Sequence, residues 1–274
     1  MDRLDPGAVT YEHTLEHRWS EGRLWNLIPA PAARVELRIR VGGNFALRAL
    51  RVAGGRVHLI WLPHAAGSET GSEIVARLAG TRGWSVTSIL PPPDIPPPGA
   101  PLAEWVDVLE ARVRAGRDAL RASTNAEGEC TVLAGVSVGG VAALRIAELE
   151  PSVDGVIALL AGSGTEGFVH GARAYGASKD ALNPEDAPRL SAVDPVLHAA
   201  ALQGRPALLG RALFDGVVPR ASFDELVSAL NAPTVRSYPT GHESFAYILP
   251  VAVRSTLRWA DDMCRSRELS RHRK

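Results

Sequence analysis

Lysine is nearly absent from this chain: among its 274 residues only Lys179 and Lys274 are lysine, so arginine carries the rest of the positive charge. The 30 basic residues are balanced by 30 acidic ones, a formal net charge of zero. A chain without a positive excess is not built to hold nucleic-acid phosphates. Cysteine is as scarce, with Cys130 and Cys264 alone. That is too few for a disulfide framework, and Cys130, inside an apolar stretch, reads as a buried reduced thiol. No apolar run approaches the roughly 20 residues that span a bilayer. The segment Met1 to Pro6 lacks the basic and apolar regions of a signal peptide. The expectation is a cytoplasmic protein with neither a membrane nor a nucleic acid as partner.

What the chain does have is 46% hydrophobic residues in 274, enough for one large domain around a buried sheet and short for two. Residues 1–34 are polar and carry Trp19 and Trp25, and they read as an extension packed on the domain. From Val35 the residues alternate apolar and charged up to Val41, the period of a strand with one wet face. Gly42-Gly43 turns the chain into a second extended run, Phe45 to Val52, so an antiparallel pair is expected at the start. Val57 to Leu62 is apolar except for His58, as in a strand covered on both faces.

Helical and strand patterns then alternate. Helices are expected over 69–82, 102–122, 139–149, 222–230 and 250–264, and strands over 84–90, 130–134, 153–160, 206–213 and 234–238. This rhythm predicts an α/β fold with about eight strands, mostly parallel, and helices on both faces. It breaks at 161–204, a Gly-, Ala-, Asp- and Pro-rich stretch with short helical pieces such as 194–202. An insertion of that kind is expected to be a lid or binding loop. The domain is expected to span 35–264, with 265–274 a basic tail.

The sharpest chemical feature is Gly135-Val136-Ser137-Val138-Gly139-Gly140, directly after an apolar strand and directly before a helix. A strand-to-helix turn this tight strains the serine backbone and projects its hydroxyl above the sheet. The residues two before and two after it must be small, and Gly135 and Gly139 are. The helix beyond Ser137 directs backbone N–H groups and positive dipole toward developing negative charge.

A serine hydroxyl needs a base, and the base needs a carboxylate to fix its tautomer. Asp215, in Phe214-Asp215-Gly216-Val217-Val218-Pro219, follows one predicted strand. His242, in Gly241-His242-Glu243, follows the last. Both thus belong on the sheet edge that carries Ser137, in the chain order serine, acid, histidine.

These three segments resemble the signatures of the α/β-hydrolase superfamily. Val193-Asp194-Pro195, with Arg205 to Leu209 leading to Asp215, is similar to its esterase and dienelactone-hydrolase-like branches. The likeness covers about 35–264. It implies an α/β-hydrolase fold and a cofactor-free, metal-free serine hydrolase with Ser137, Asp215 and His242 as catalytic residues. The substrate would be a small-molecule ester, thioester or lactone.

The resemblance also implies one oxyanion donor at the amide of Val138 and a second in Pro63 to Ser68. Many relatives have His-Gly where this chain has His64-Ala65, which leaves Ala65 or Ala66 as the second donor, with Ala66 favoured. His64 and Ala65 would border the substrate. An acyltransferase, a non-hydrolytic enzyme such as a cyclase, and a binding protein with a relic site are rivals on the same fold. The protein is expected to act as a monomer or homodimer.

Other candidates have weaker cases. His13 and His17 stand four apart without the glutamate of a zinc-protease motif. His170 and His198 fall in or near the insertion and read as surface residues. Asp180, Asp186 and Asp194 would replace Asp215 only if the strands were misplaced. Gly42-Gly43 and Gly54-Gly55 do not open helices, as phosphate loops must. The proline run 91–98 reads as a rigid loop.

Overall fold

The computed structural model describes residues 9–16, 29–40, 46–64, 69–90, 96–123 and 130–271. Nine strands form one sheet: β1 (Val9–Glu16), β2 (Ala33–Arg40), β3 (Ala46–Val52), β4 (Gly55–Leu62), β5 (Trp84–Ile89), β6 (Cys130–Val136), β7 (Gly155–Leu159), β8 (Ala207–Ala212) and β9 (Thr234–Tyr238). Their spatial order is β1-β2-β3-β5-β4-β6-β7-β8-β9. The β1–β2, β2–β3 and β3–β5 pairs are antiparallel, and every pair from β5 to β9 is parallel. The α/β sheet expected from the sequence is therefore present with one more strand than the rhythm suggested. That strand, β1, comes from the segment read as a polar extension.

Helices α1 (Glu69–Gly80), α2 (Leu102–Ser123) and α3 (Val138–Leu149) alternate with the central strands. The insertion after β7 folds into α4 (Gly164–Ala174), α5 (Ala187–Val193), α6 (Pro195–His198) and a 3-10 turn over Ala199–Leu202. Then come α7 (Arg220–Ala229) and α8 (Phe245–Arg271). Alternation along the strands divides the core in two. In β4, Val57, Leu59 and Trp61 belong to the core shared with α1 and α8, while Ile60 and Leu62 belong to the core shared with α2, α3 and α7. Leu59, Ile60 and Leu62 are each wholly buried. This double coverage is why the parallel strands read as continuous apolar runs.

The C-terminal helix is longer than expected at both ends, starting at Phe245 and continuing through 265–271. Pro250 lies inside it. The first turn closes through short-range bonds from Ala246 to Glu243 and from Tyr247 to Ser244, so the chain enters the helix ahead of the proline. Among the described residues, no helix is long and apolar enough to cross a membrane.

The cysteine expectation is corrected outright. Cys130 and Cys264 form a disulfide, with Cα atoms 5.9 Å apart across a sequence separation of 134. Cys130 shares a face of β6 with Val132, Ala134 and Val136, and Cys264 lies on the α8 face that packs there. The sulfurs therefore meet inside the core between the sheet and α8.

His58, the one polar residue of the β4 apolar run, is buried and its Nε2 lies 3.1 Å from Thr87 Oγ1. Burial, reinforced by the charge of Arg51, lowers its pKa from 6.5 to about 4. A histidine held neutral in this way stabilises the fold above its unfolded pKa. That contribution is lost as the pH falls from 6.5 through 4, because the unfolded chain takes up the proton first. At about 1.4 kcal/mol per unit of pKa, the loss comes to about 3 kcal/mol. In denaturant titrations, the stability difference between wild type and His58→Gln should shrink by about that amount between pH 7 and pH 4.

Candidate active site

The site is assembled at the carboxyl ends of the central strands. Ser137 connects β6 to α3 with φ 56° and ψ −124°, a conformation that an L-residue holds only when its surroundings enforce it. The enforcement is visible in the backbone. Ser137 N donates to Leu159 O at 2.7 Å, and Val141 N donates to Ser137 O at 3.0 Å. The flanking glycines are sterically required: a Cβ on Gly135 would overlap the Gly139 carbonyl, and one on Gly139 would overlap the carbonyls of Leu62 and Pro63. Gly139 thereby lets the end of β4 lie against the turn. Leu160, one residue past β7, also has a positive φ of 52°, so two non-glycine residues in this conformation flank the site.

Asp215 and His242 are brought together by stitching between the loops after β8 and β9. Leu213 N donates to Tyr238 O at 2.8 Å, and Phe214 N donates to Thr240 O at 3.0 Å. His242 sits in a turn braced by Ser244, whose Oγ accepts from Gly241 N at 2.9 Å and lies 2.7 Å from Thr240 Oγ1. His242 Nε2 is 3.0 Å from Ser137 Oγ, and Nδ1 is 2.9 and 3.0 Å from the two Asp215 oxygens. All three side chains are largely buried.

Asp215 Oδ1 also accepts from the amides of Val217 and Val218 at 2.9 and 2.8 Å. Burial alone would push this carboxyl up. The hydrogen bond and charge of His242, together with the two amides, outweigh it and hold the pKa below the usual value. Asp215 is thus ionised across the neutral range and fixes Nδ1 as the protonated nitrogen, leaving Nε2 to accept from the serine.

Val138 opens α3 and lines the cavity beside Ser137. Ala65 and Ala66, the alternatives for a second oxyanion donor, lie outside the described residues. His64 is described: its carbonyl accepts from Arg112 Nη2 at 3.3 Å, which ties the loop to α2. Its ring lowers in pKa through burial, with Glu243 raising it and His242 and Arg112 lowering it further. The other histidines and acids do not join the three. His170 Nε2 lies 3.2 Å from Gly216 O, and His198 Nε2 lies 3.1 Å from Ser191 O. Asp194 caps α6 through Val196 N, Asp186 pairs with Arg189, and Asp180 bonds Ser178. His13 stands on β1, opposite Leu37, and His17 lies outside the described residues.

Cavities open from this point on several sides, one of them past Asp215, and two flank the serine and the histidine. The one with the larger envelope spans about 770 Å³ with its open mouth, has no more enclosed space than the other, and is almost wholly apolar. It runs from Ser137 and Val138 under α4 and α5, past Trp105, Phe168 and Val193. The second, about 600 Å³ with its mouth, lies between the ends of β4 and β6, the start of α1 and the start of α8. His64, His242, Glu243 and Ala246 are among the residues that line it.

Tyr175, at the end of α4, stands between the two. Its ring stacks on Trp105 with centroids 6.1 Å apart, and its hydroxyl donates to Glu243 Oε1 at 2.6 Å. Burial first, then the hydrogen bond and charge of Glu243, raise the phenol pKa, so it stays a donor at any working pH. Sequence reasoning missed Tyr175 and Glu243. Adjacency to His242 was an available signal for Glu243, whereas nothing in the aperiodic insertion distinguished Tyr175.

A doubly wound, mostly parallel sheet with a strained serine on the turn after β6 and an insertion after β7 defines an α/β-hydrolase-fold protein. No protein-family model matches the chain, and no curated protein matches it. Solved structures do. An esterase of Pyrococcus furiosus, Pf2001, superposes with a TM-score of 0.62 at 14% identity, over 90% of this chain and 96% of that one. An acetyl xylan esterase from Paenibacillus sp. R4 gives 0.58 at 17% identity, over 91% and 88%. A Bacteroides ovatus protein assigned as a dipeptidyl aminopeptidase IV gives 0.63 at 12% identity over 85% of this chain, which spans only 36% of that protein. At these identities the likeness establishes the fold.

Proposed function

We propose that the chain is a serine hydrolase that cleaves an ester, thioester or lactone through an acyl-enzyme. The observation that carries this reading is the unbroken hydrogen-bonded line from Ser137 Oγ through His242 to Asp215, at 3.0 and 2.9 Å, beside a large apolar cavity. In the first step Ser137 Oγ bonds to the carbonyl carbon as its proton passes to His242 Nε2. The imidazolium is stabilised by Asp215, and the carbonyl oxygen, now negative, is held by the Val138 amide with Ala66 as partner donor. The carbon–heteroatom bond then breaks as Nε2 protonates the departing group. Water, deprotonated by the same nitrogen, then bonds to the acyl carbon, and the bond from that carbon to Ser137 Oγ breaks as Nε2 returns the proton to Oγ, releasing the acid. These steps draw on side chains and amides alone. The insertion 161–204 acts as the lid, since α4 and α5 roof the larger cavity.

The proposal includes a small acyl substrate and no nucleic-acid or membrane partner. It places the protein, as a monomer or homodimer, in the cytoplasm. Fluorophosphonate labelling tests the chemistry. The reagent should phosphonylate Ser137, identified by peptide mass spectrometry, and abolish p-nitrophenyl ester hydrolysis in proportion to labelling. Hydrolysis that continues with Ser137 fully modified would refute the proposal.

A further inference from the structure

The two cavities differ in which reacting group they expose. The larger is lined by Ser137 and Val138 and not by His242, and the smaller by His242 and Glu243 and not by Ser137. Between them the Tyr175 hydroxyl and the Glu243 carboxylate are hydrogen-bonded, with Tyr175 lining one cavity and Glu243 the other. The partition is braced from behind by the stacking of Tyr175 on Trp105 and from the other side by His242, edge-on to Tyr175 at 6.3 Å.

Acyl transfer gives these cavities unequal roles. The acyl part becomes covalently attached to Ser137 Oγ, so its chain must extend into space that opens from that oxygen. The departing part must keep its oxygen or sulfur within reach of His242 Nε2, which protonates it. Its body therefore extends into space that opens from the imidazole.

We infer that the substrate is bipartite, with an apolar acyl group seated under α4 and α5 and a substantial, mainly apolar leaving group seated between α1 and the start of α8. This assignment rests on the serine-hydrolase reading above. The near absence of polar surface in the larger cavity selects an unsubstituted hydrocarbon acyl chain, and its size admits more than an acetyl group. The smaller cavity combines Trp61, Phe245 and Leu249 with His64 and Glu243 at its polar side. It therefore takes an alcohol or thiol with an apolar body and a hydrogen-bonding group. The substrate class is an ester or thioester that is large on both sides of the scissile bond. Short acetyl and methyl esters are poor members of it.

The test separates the two cavities by two substitutions and two kinetic steps. Gly171 lines the acyl cavity, and a Cβ there would sit at ordinary contact, 3.6 Å from Val217 O, so Gly171→Leu fills space without forcing the backbone. Ala246 is exposed on the first turn of α8 and lines the other cavity, so Ala246→Trp fills that one, with Ala246→Leu as the milder alternative. Stopped-flow acylation and deacylation rates are measured on esters varied at one end at a time.

With wild type, kcat/KM should rise about fourfold per methylene in the acyl series, from butanoyl upward, until the cavity is full. Gly171→Leu should lower the octanoyl-to-butanoyl ratio at least tenfold with any one alcohol, in deacylation as well as acylation. Ala246→Trp should lower the benzyl-to-methyl leaving-group ratio at least tenfold in acylation. Deacylation of a given acyl-enzyme should be no slower than in wild type. If the two effects are interchanged, or neither ratio moves in either Ala246 variant or in Gly171→Leu, the assignment is overturned while Ser137 labelling still stands. If Ser137 is not labelled at all, the hydrolase reading fails and takes the assignment with it.

Discussion

Ser137→Ala is expected to lower kcat for p-nitrophenyl ester hydrolysis by about six orders of magnitude, and His242→Ala by a similar factor. The double variant should fall no further, because the two groups perform one proton transfer and removing either stops it. What remains is the contribution of binding and of the oxyanion donors. Asp215→Asn should cost about four orders, and the geometry says why. Asp215 Oδ1 accepts from the Val217 and Val218 amides as well as facing His242 Nδ1. An asparagine must give its carbonyl oxygen to those amides, which turns its NH2 toward the imidazole. That NH2 takes the Oδ2 place, 2.9 Å from Nδ1, and favours the ring tautomer whose Nδ1 accepts; its proton is then on Nε2, which can no longer take the proton of Ser137. Asp215→Glu tests a different quantity, the placement of a charge that is still present, and should retain more activity than Asp215→Asn. The measurement is kcat and KM on each purified variant, with circular dichroism to confirm folding. Turnover within tenfold of wild type in Ser137→Ala would remove the covalent mechanism.

How much of this was legible in the sequence depends on whether the signal is local. The turn at Ser137 was legible because its constraint is steric and contained in six residues: Gly135 and Gly139 stand where a Cβ has no room. Asp215 and His242 were legible because each follows a β-rich run by a few residues, and in a parallel sheet those ends converge on one rim.

The strand β1 was missed although Val9, Tyr11 and Leu15 alternate with Thr10, Glu12 and Thr14. Its register shifts between Tyr11 and His13, and the tryptophans beyond it drew the segment into a single irregular reading. The insertion hid its helices for a different reason. In α4, Gly164, Gly167 and Gly171 lower helix propensity, so a stretch that does have an apolar face still reads as loop. The disulfide depended on which face each cysteine takes. Cys130 has the parity of Val132 and Val136, and Cys264 follows Ala260 by one helical turn. Those periods placed both on buried faces, but only the docking of α8 on β6 made the faces the same one.

Reducing that disulfide should cost the chain about 3–5 kcal/mol of stability. The bond closes a loop between residues separated by 134 positions, and the loop-entropy model assigns such a closure about 5 kcal/mol. Total stabilities of folded domains are about 5–15 kcal/mol, so the loss is a large share.

The bond also has a particular position. It joins the first residue of β6, the strand that leads into Ser137, to α8, the helix that begins just after His242. At about 3.3 Å per strand residue, Cys130 lies roughly 20 Å from the serine. Reduction should therefore leave kcat of the folded protein at 25 °C unchanged while lowering the temperature at which activity is lost.

The expected result is a fall in unfolding free energy of about 3–5 kcal/mol, read from the shift of the urea midpoint at unchanged slope. Wild type in dithiothreitol, Cys130→Ala, Cys264→Ala and the double variant should all show it. The single variants should match the double within about 1 kcal/mol, since a small apolar residue fills each buried site and the lost cross-link is common to all. A midpoint indifferent to dithiothreitol, with thiol counting that confirms full reduction, would show that the packing of α8 on the sheet holds the two ends together without the covalent bond.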